Sequence, residues 1–181
     1  RKFARLIASG AYEEALQVAA DQIEGGARVI DINMDDAMLD SKEQMRIFLR
    51  HIASDPSVGK AAVMIDSSHF DTIEEALKNV QGRSIVNSIS LKDGEEEFLR
   101  RARIIDGLGA AMVVMAFDEQ GQAVTFDRKV EICRRSYQLL TGAGISPENI
   151  IFDVNVLSIG TGIPEHAKFA VDYIEAVRWI K

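Results

Sequence analysis

The feature that most constrains the fold is a repeated order of short apolar segments and helical patterns. Five apolar segments, at 27–33, 61–66, 84–90, 110–116 and 150–155, each have a carboxylate, amide or hydroxyl at or near their C-terminal end. Between them, apolar residues recur at spacings of three and four, which is typical of amphipathic helices. No tight turn joins two segments directly, and parallel strands need crossover helices, so this alternation predicts a parallel α/β sheet. Because the segments are nearly continuous apolar runs, we expect strands that are buried on both faces.

A parallel α/β sheet can be doubly wound or closed into a (β/α)8 TIM barrel. A doubly wound nucleotide fold carries a glycine-rich phosphate turn after its first strand. Here the first strand runs into the acidic sequence DINMDD at 31–36, and the chain has no G-x-G-x-x-G motif. A barrel of about 250 residues needs eight units, and the 181 residues hold five. We therefore predict an incomplete barrel that lacks the first strand and the last units, with residues 1–181 as one domain of a larger multidomain protein.

Composition and charge exclude several classes of function. The net charge of −7, from 28 acidic and 21 basic residues, argues against a nucleic-acid surface. The apolar runs are far shorter than the roughly 18 residues of a membrane helix. The single cysteine, Cys133, excludes an internal disulfide and a cysteine zinc site, and its helical spacing from Val130 and Leu140 predicts a buried thiol. We expect a cytoplasmic protein without nucleic-acid or membrane partners.

Polar side chains cluster where the predicted strands end. In a barrel these ends share one mouth, where functional groups gather. The candidate ligand-binding side chains are Asp31, Asn33, Asp66, Asn87, Asp153 and Asn155. Such carboxylates and amides could hold a hard cation, or they could bind a ligand edge rich in N–H donors, since a carboxylate accepts two adjacent N–H groups. They could also simply cap the helices that follow.

The same segments carry a resemblance to a known family. It rests on GARVIDIN at 26–33, IDSS at 65–68, IVNSIS at 85–90, VMAFDEQGQA at 114–123 and IFDVN at 151–155. In this order the motifs resemble the pterin-binding (folate) barrel of cobalamin-dependent methionine synthases, and Thr161-Gly162-Ile163 and Glu165-His166 continue the match. The resemblance covers essentially the whole chain. The wider superfamily includes dihydropteroate synthase and the corrinoid methyltransferases.

The resemblance implies a substrate and a set of contacts. Asp66, Asn87 and Asp153 match the residues that grip the amino-pyrimidine edge of 5-methyltetrahydrofolate. Asp31 and Asn33 match as secondary contacts, and Asn155 completes the predicted set. The implied reaction passes the methyl group of the folate to cob(I)alamin held on a separate domain, for methionine synthesis. The implied zinc belongs to a separate homocysteine domain, so no metal site is expected here.

Several expectations accompany this hypothesis. Val154 stands where the family usually has proline, which should affect only loop stiffness. The family's asparagine near the reacting nitrogen lies on a later strand, so we assign no catalytic residue. We expect the 181 residues alone to bind folate weakly and to transfer no methyl group.

Two further residues have open or structural roles. Asp118 lies in a loop that is either part of the mouth or a surface turn. His166 lies in the first turn of a final helix predicted over 165–180, and it is expected to be structural.

The alternatives left open are of different classes. One is a dihydropteroate synthase-like transferase, and another is a different corrinoid-dependent methyltransferase. A third is a pterin-binding module without catalytic activity. The last is a barrel enzyme that uses a divalent metal ion at its carboxylate-rich mouth.

Overall fold

The computed structural model of the protein describes residues 2–181, apart from the side chain of Glu165. The chain divides into two compact units, Arg1–Asn87 with Gly107–Ala111, and Ser88–Asp106 with Met112–Lys181. The elements up to the third strand are α1 (Lys2–Ala8), α2 (Tyr12–Glu24), β1 (Val29–Asn33), α3 (Ser41–Ser54), β2 (Ala62–Asp66), α4 (Phe70–Leu77) and β3 (Ile85–Ile89). They are followed by α5 (Glu95–Gly107), β4 (Ala111–Met115), β5 (Phe117–Asp118), β6 (Gly121–Gln122), α6 (Phe126–Gly142), β7 (Ile150–Asp153) and α7 (Phe169–Ile180).

The first unit contains parallel strands that follow one another in chain order. β1 pairs with β2 from Val29 opposite Ala62 to Asn33 opposite Asp66, and β2 pairs with β3 in the same direction. Each strand is followed by a helix, and the Asp40 carboxylate caps α3 by accepting the Glu43 N–H at 3.1 Å. The prediction of a parallel α/β arrangement is confirmed in this unit.

Burial of the first two strands differs from the expectation that both faces are covered. In β1, Ile30 and Ile32 are buried, whereas Val29 is 40% exposed and the two polar residues of the strand are exposed as well. In β2, Val63 and Ile65 are buried and the alternate residues are partly exposed. One face of these strands is apolar and the other carries the polar strand ends. In β2 the sequence hides this alternation because Ala62 and Met64 occupy the more exposed face.

The second unit contains the parallel pair β4 and β7, with Met112 opposite Ile150 and Met115 opposite Asp153. Met112, Val113 and Val114 of β4 are all buried, as predicted for a strand covered on both faces. The core of this unit includes Phe98, Ile105 and Leu140.

Two segments of the second unit differ from the sequence-based expectation. Residues 117–122 form a small antiparallel hairpin, β5 and β6, instead of an irregular loop, and Gly121 supplies the positive φ of +114° at its turn. The final helix begins at Phe169, because a 3₁₀ turn at Pro164–Lys168 precedes it. The His166 ring stabilises this turn by stacking on Phe169 with ring centroids 4.5 Å apart, which agrees with a structural role.

None of the helices described within residues 2–181 is both long enough and apolar enough to span a membrane.

Candidate ligand-binding site at the carboxyl ends of the strands

Three of the predicted site residues form one row across the first unit. The strand register places Asn33 opposite Asp66 and Asp66 opposite Asn87, at or near the carboxyl ends of β1, β2 and β3. Directly opposed residues on neighbouring strands project to the same face of a sheet. The structure therefore brings an amide, a carboxylate and a second amide together at one edge of these strands.

Within this row, one hydrogen bond orients the central carboxylate. Asn33 Nδ2 donates to Asp66 Oδ2 at 3.1 Å. Among the described residues, no hydrogen bond is made by Asp66 Oδ1 or by the side chain of Asn87, and both residues are only partly buried. A carboxylate offers about four acceptor positions, so Asp66 keeps the capacity to accept two further N–H groups beside the free amide of Asn87.

Asp31 lies one row deeper, two residues before Asn33 on the same face of β1 and opposite Met64. Desolvation by the surrounding protein raises the pKa of the Asp31 carboxyl, and the neighbouring carboxylate of Asp66 raises it further. Both effects favour the neutral form of the Asp31 carboxyl.

Asp35, which the sequence analysis did not single out, fixes the turn beside this row. Its carboxylate accepts the Ser67 hydroxyl, the Ser68 N–H and the Ser68 hydroxyl, each at 2.7 Å. Burial alone would raise the pKa of Asp35, but the hydrogen bonds from Ser68 and Ser67 outweigh it and lower that pKa. The Ser67 hydroxyl is also an acceptor for the His69 N–H at 3.1 Å. Asp35 thereby ties the segment after β1 to the segment after β2, directly next to Asp66.

Asp153 and Asn155 lie in the second unit, in a tight turn at the end of β7. The Asn155 N–H donates to Asp153 Oδ1 at 2.8 Å, and the Asn155 side chain donates to the Ala116 carbonyl at 2.9 Å. Asn155 is buried and adopts a φ of +58°, the only non-glycine residue of the described chain in this region, where asparagine is more easily accommodated than most residues. Its amide thus shapes the turn that presents the partly buried carboxylate of Asp153. Lys129, whose ammonium group donates to two carbonyls of this turn, is a second residue that no sequence motif singles out.

Other residues singled out in the sequence have structural surroundings. Asp118 is buried and pairs with Arg128 at 2.7 Å, which attaches the β5–β6 hairpin to α6. Cys133 is buried, as predicted, and burial raises the pKa of its thiol to about 12. In the part of the chain that the structure describes, no group of three or more His, Cys, Asp or Glu side chains is arranged to hold a metal ion.

Comparisons with known proteins show the family from the sequence and the fold from solved structures. The sequence matches the family described as "Pterin binding enzyme" over residues 1–181. The 7,8-dihydropteroate synthase of Vibrio fischeri ES114 is similar in structure, with a TM-score of 0.66, 14% sequence identity and coverage of 93% of this chain. The dihydropteroate synthase of Anaplasma phagocytophilum, solved with bound 6-hydroxymethylpterin-monophosphate, gives a TM-score of 0.66, 21% identity and the same 93% coverage.

The extent of these matches bears on the architecture. The chain spans 64% of the length of the Vibrio fischeri protein and 70% of the Anaplasma phagocytophilum protein. The parallel strands, the intervening helices and this likeness confirm the prediction of an α/β fold related to the (β/α)8 barrel, here in incomplete form. The match over the full sequence shows that the protein belongs to the family of pterin-binding enzymes.

Proposed function

We propose that this chain binds 5-methyltetrahydrofolate, and that the full-length protein is a cytoplasmic methyltransferase. It would transfer the methyl group of the folate to cob(I)alamin on a separate domain during methionine synthesis. The observation that carries the binding proposal is the row of Asn33, Asp66 and Asn87 at the strand ends. The choice of methyl donor and acceptor rests on the sequence motifs that resemble methionine synthases.

The chemistry of the row suits a pterin. The amino-pyrimidine edge of a reduced pterin offers adjacent ring N–H and amino groups, which one carboxylate can accept as a bidentate pair. Asp66 has this capacity because its hydrogen bond with Asn33 occupies only one acceptor position. An amide both donates and accepts, so Asn87 can bind a neighbouring carbonyl or ring nitrogen of the same edge. Family membership and the pterin ligand of the Anaplasma phagocytophilum relative support this class of ligand.

Asp153 is the proposed ligand contact of the second unit. Its Oδ1 accepts the Asn155 N–H, which leaves Oδ2 and the remaining lone pair of Oδ1 for a ligand. Asp31 and Asn33 would support the mouth, Asp31 as a group that gains a proton more readily than an ordinary aspartate. Asn155 would act by shaping the turn, since its side chain is buried and donates to the Ala116 carbonyl.

Methyl transfer also requires chemistry that these residues do not supply by themselves. The methyl group is bonded to an amine nitrogen of the folate, and this nitrogen is a poor leaving group. It must therefore be protonated or hydrogen-bonded as its bond to the methyl group breaks. Bound cob(I)alamin supplies the nucleophile, and no residue of this chain is proposed to bind it or the zinc of a separate homocysteine domain. The residues here would hold the folate in one orientation, which is a large part of the catalytic advantage of an enzyme.

Calorimetric titration of the full-length protein with 5-methyltetrahydrofolate tests the binding proposal. Hydrogen bonds to a charged group contribute about 1.5–3 kcal/mol each, so Asp66→Asn should weaken binding at least about tenfold. Asn87→Ala should weaken it about three- to tenfold, since it removes neutral hydrogen bonds. The matched control is Asp71→Asn, at an exposed position of α4, and it should leave the affinity unchanged. Equal affinities for the wild type and Asp66→Asn would contradict the assignment.

Activity assays separate the proposal from its alternatives. The full-length protein is expected to demethylate 5-methyltetrahydrofolate in the presence of cob(I)alamin. Formation of dihydropteroate instead would identify a dihydropteroate synthase-like transferase, and pterin binding without either reaction would identify a binding module. Tight binding of Mg²⁺ without folate binding would overturn the proposed site.

A further inference from the structure

Lys129 is a fully buried lysine in the second unit. It lies on the inward face of α6, in line with the buried residues Cys133 and Ser136, and its relative exposure is 0%. Lysine is almost never completely buried unless its ammonium group is paired, because an unpaired buried charge is very costly. Its position therefore calls for a specific interaction rather than simple packing.

The ammonium group of Lys129 contacts three backbone carbonyl oxygens. It donates to the carbonyls of Ala123 at 3.0 Å and Asn155 at 2.9 Å, and it also donates to the carbonyl of Val154. An ammonium group has three N–H donors, so all of its donors are used. Two of the three acceptors belong to the turn that follows Asp153.

The contact with Val154 controls a peptide group that also touches Asp153. The carbonyl of Val154 and the N–H of Asn155 belong to the same planar trans peptide, in which the two groups point in opposite directions. Lys129 holds the carbonyl end, and the N–H end donates to Asp153 Oδ1 at 2.8 Å. Fixing one end of this peptide fixes the direction of the other, and hydrogen bonds at both ends polarise one another.

The same contacts stabilise an unusual backbone conformation. Asn155 has a φ of +58°, and a non-glycine residue in this region carries a conformational cost. The Asn155 carbonyl is held by Lys129, and its side chain is held by the Ala116 carbonyl at 2.9 Å. Without Lys129, the turn loses one contact to the Val154–Asn155 peptide, at the Val154 carbonyl, and one to the peptide that follows it, at the Asn155 carbonyl.

The electrostatic surroundings agree with this arrangement. Desolvation lowers the pKa of the Lys129 ammonium, while the nearby Asp153 and Asp172 carboxylates and Cys133 raise it and so partly offset that effect. Asp153 thus faces a buried positive group as well as the Asn155 N–H. Both favour a defined position of its carboxylate.

We infer that Lys129 is a positioning residue for Asp153: it holds the Val154–Asn155 peptide so that the Asp153 carboxylate keeps one orientation toward the pterin. This inference deepens the proposed function and rests on it for the identity of the ligand. Lys129 does not contact the ligand in this account. It acts through the peptide and the carboxylate.

The test is a set of double-mutant cycles in the full-length protein, with 5-methyltetrahydrofolate affinity as the readout. Lys129→Met removes the three donors with little change in side-chain length and should weaken binding about tenfold. In the Asp153→Asn background the same change should weaken it less than about threefold, because the carboxylate that Lys129 positions is already gone. In the Asp66→Asn background the full tenfold effect should remain. A general loss of stability would reduce affinity equally in both backgrounds, and that result would overturn the inference.

Controls keep the test informative. Lys78→Met replaces an exposed lysine that pairs with Glu74 and should leave the affinity unchanged. Lys129→Gln retains amide donors and should lie between the wild type and Lys129→Met; it takes the place of Lys129→Met in both cycles if that variant does not fold. Affinity equal to that of the wild type in the Lys129 variant would also overturn the inference.

A readout without ligand separates this inference from the proposed function. If the wild-type protein does not bind 5-methyltetrahydrofolate, the proposed function fails, and hydrogen exchange of the Asn155 amide then decides the role of Lys129. The Lys129 variant should exchange this amide at least about tenfold faster than the wild type, while the Phe98 amide, which donates to the Gly94 carbonyl at 3.1 Å, serves as the internal reference. If the ratio of the Asn155 exchange rate to that of the reference amide is the same in the wild type and the variant, the inference is overturned.

Discussion

Asp35 shows how one carboxylate can hold two segments of the candidate site. Its three hydrogen bonds from Ser67 and Ser68 connect the chain after β1 with the chain after β2. This places a rigid turn next to Asp66, so the position of a proposed ligand contact depends on a residue that need not touch the ligand.

Replacing Asp35 should lower stability in a pH-dependent way. Asp35→Asn puts an amide nitrogen where the Ser68 N–H and hydroxyl need an acceptor, and we expect a loss of about 1–2 kcal/mol at pH 7. The pKa of Asp35 is lowered in the folded protein, so its ionised form stabilises the fold above the unfolded pKa of about 3.9. That contribution is lost as the pH falls through the folded-state pKa.

Urea unfolding of the wild type and Asp35→Asn at pH 7 and near pH 3 measures this difference. The gap in unfolding free energy should be largest at pH 7 and should shrink at pH 3. Asp71→Asn is the control, since Asp71 is largely exposed. A gap that grows on acidification would contradict the assigned role of the Asp35 carboxylate.

The positions of some site residues could be predicted from the sequence, and those of others could not. The row of Asn33, Asp66 and Asn87 was predictable in position because parallel strands in one sheet end at one edge. Asp35 was not, because its contacts depend on the conformation of two turns that no periodic pattern encodes. Lys129 had only a weak signal, a lysine in line with the apolar positions of α6, and such a residue can also extend its ammonium group to solvent. The ligand roles of the predicted site residues stay predictions.

Among the elements, the β5–β6 hairpin illustrates how a short segment is fixed by one ion pair. Asp118 has a side-chain exposure of 5% and pairs with Arg128 of α6, whose side chain is 29% exposed. The other Asp118 oxygen accepts the Gln120 N–H at 3.0 Å inside the turn. The hairpin therefore depends on α6 for the charge that balances its buried carboxylate.

Removing that charge should destabilise the second unit. Arg128→Met leaves the buried Asp118 carboxylate with the Gln120 N–H as its one hydrogen-bond partner among the described residues. An unsatisfied buried group costs about 1–3 kcal/mol, and more when it is charged. Thermal unfolding should show the loss, and the double variant with Asp118→Asn should recover part of it because the uncompensated charge is removed. Arg178→Met, which breaks an exposed pair with Glu175, should have almost no effect. Equal stabilities of Arg128→Met and Arg178→Met would refute the role given to the Asp118 pair.

The elements also show where periodicity succeeds and where it fails. The order of strands and helices followed from apolar spacing, because each long element must bury one face. The hairpin at 117–122 and the 3₁₀ turn at Pro164–Lys168 did not, because both are too short to carry a period. The exposed alternate residues of β1 were missed for a different reason, because Asp31 and Asn33 were interpreted as the polar end of an apolar run and not as one face of the strand.

For the whole molecule, the family and the α/β fold are established, whereas the reaction is a proposal. The chain spans 64% of the length of the dihydropteroate synthase of Vibrio fischeri. We therefore expect the 181 residues, produced alone, to bind 5-methyltetrahydrofolate more weakly than the full-length protein and to transfer no methyl group to free cob(I)alamin. Parallel calorimetric titrations and methyl-transfer assays check this. Transfer by the 181 residues alone would contradict the prediction.

The contact between Lys129 and the Val154 carbonyl has a consequence for how this sequence can vary. This contact uses a main-chain oxygen that every amino acid carries, proline included. No substitution at position 154 can therefore remove the acceptor. The mutational sensitivity of the turn should therefore fall on its two neighbours and on a lysine that lies 25 positions earlier in the chain. A saturation library that covers position 129 and the turn, selected for 5-methyltetrahydrofolate binding, should tolerate many residues at 154, few at 155 and fewest at 129. The acceptor at position 154 is a main-chain atom, so a codon change at that position cannot remove it.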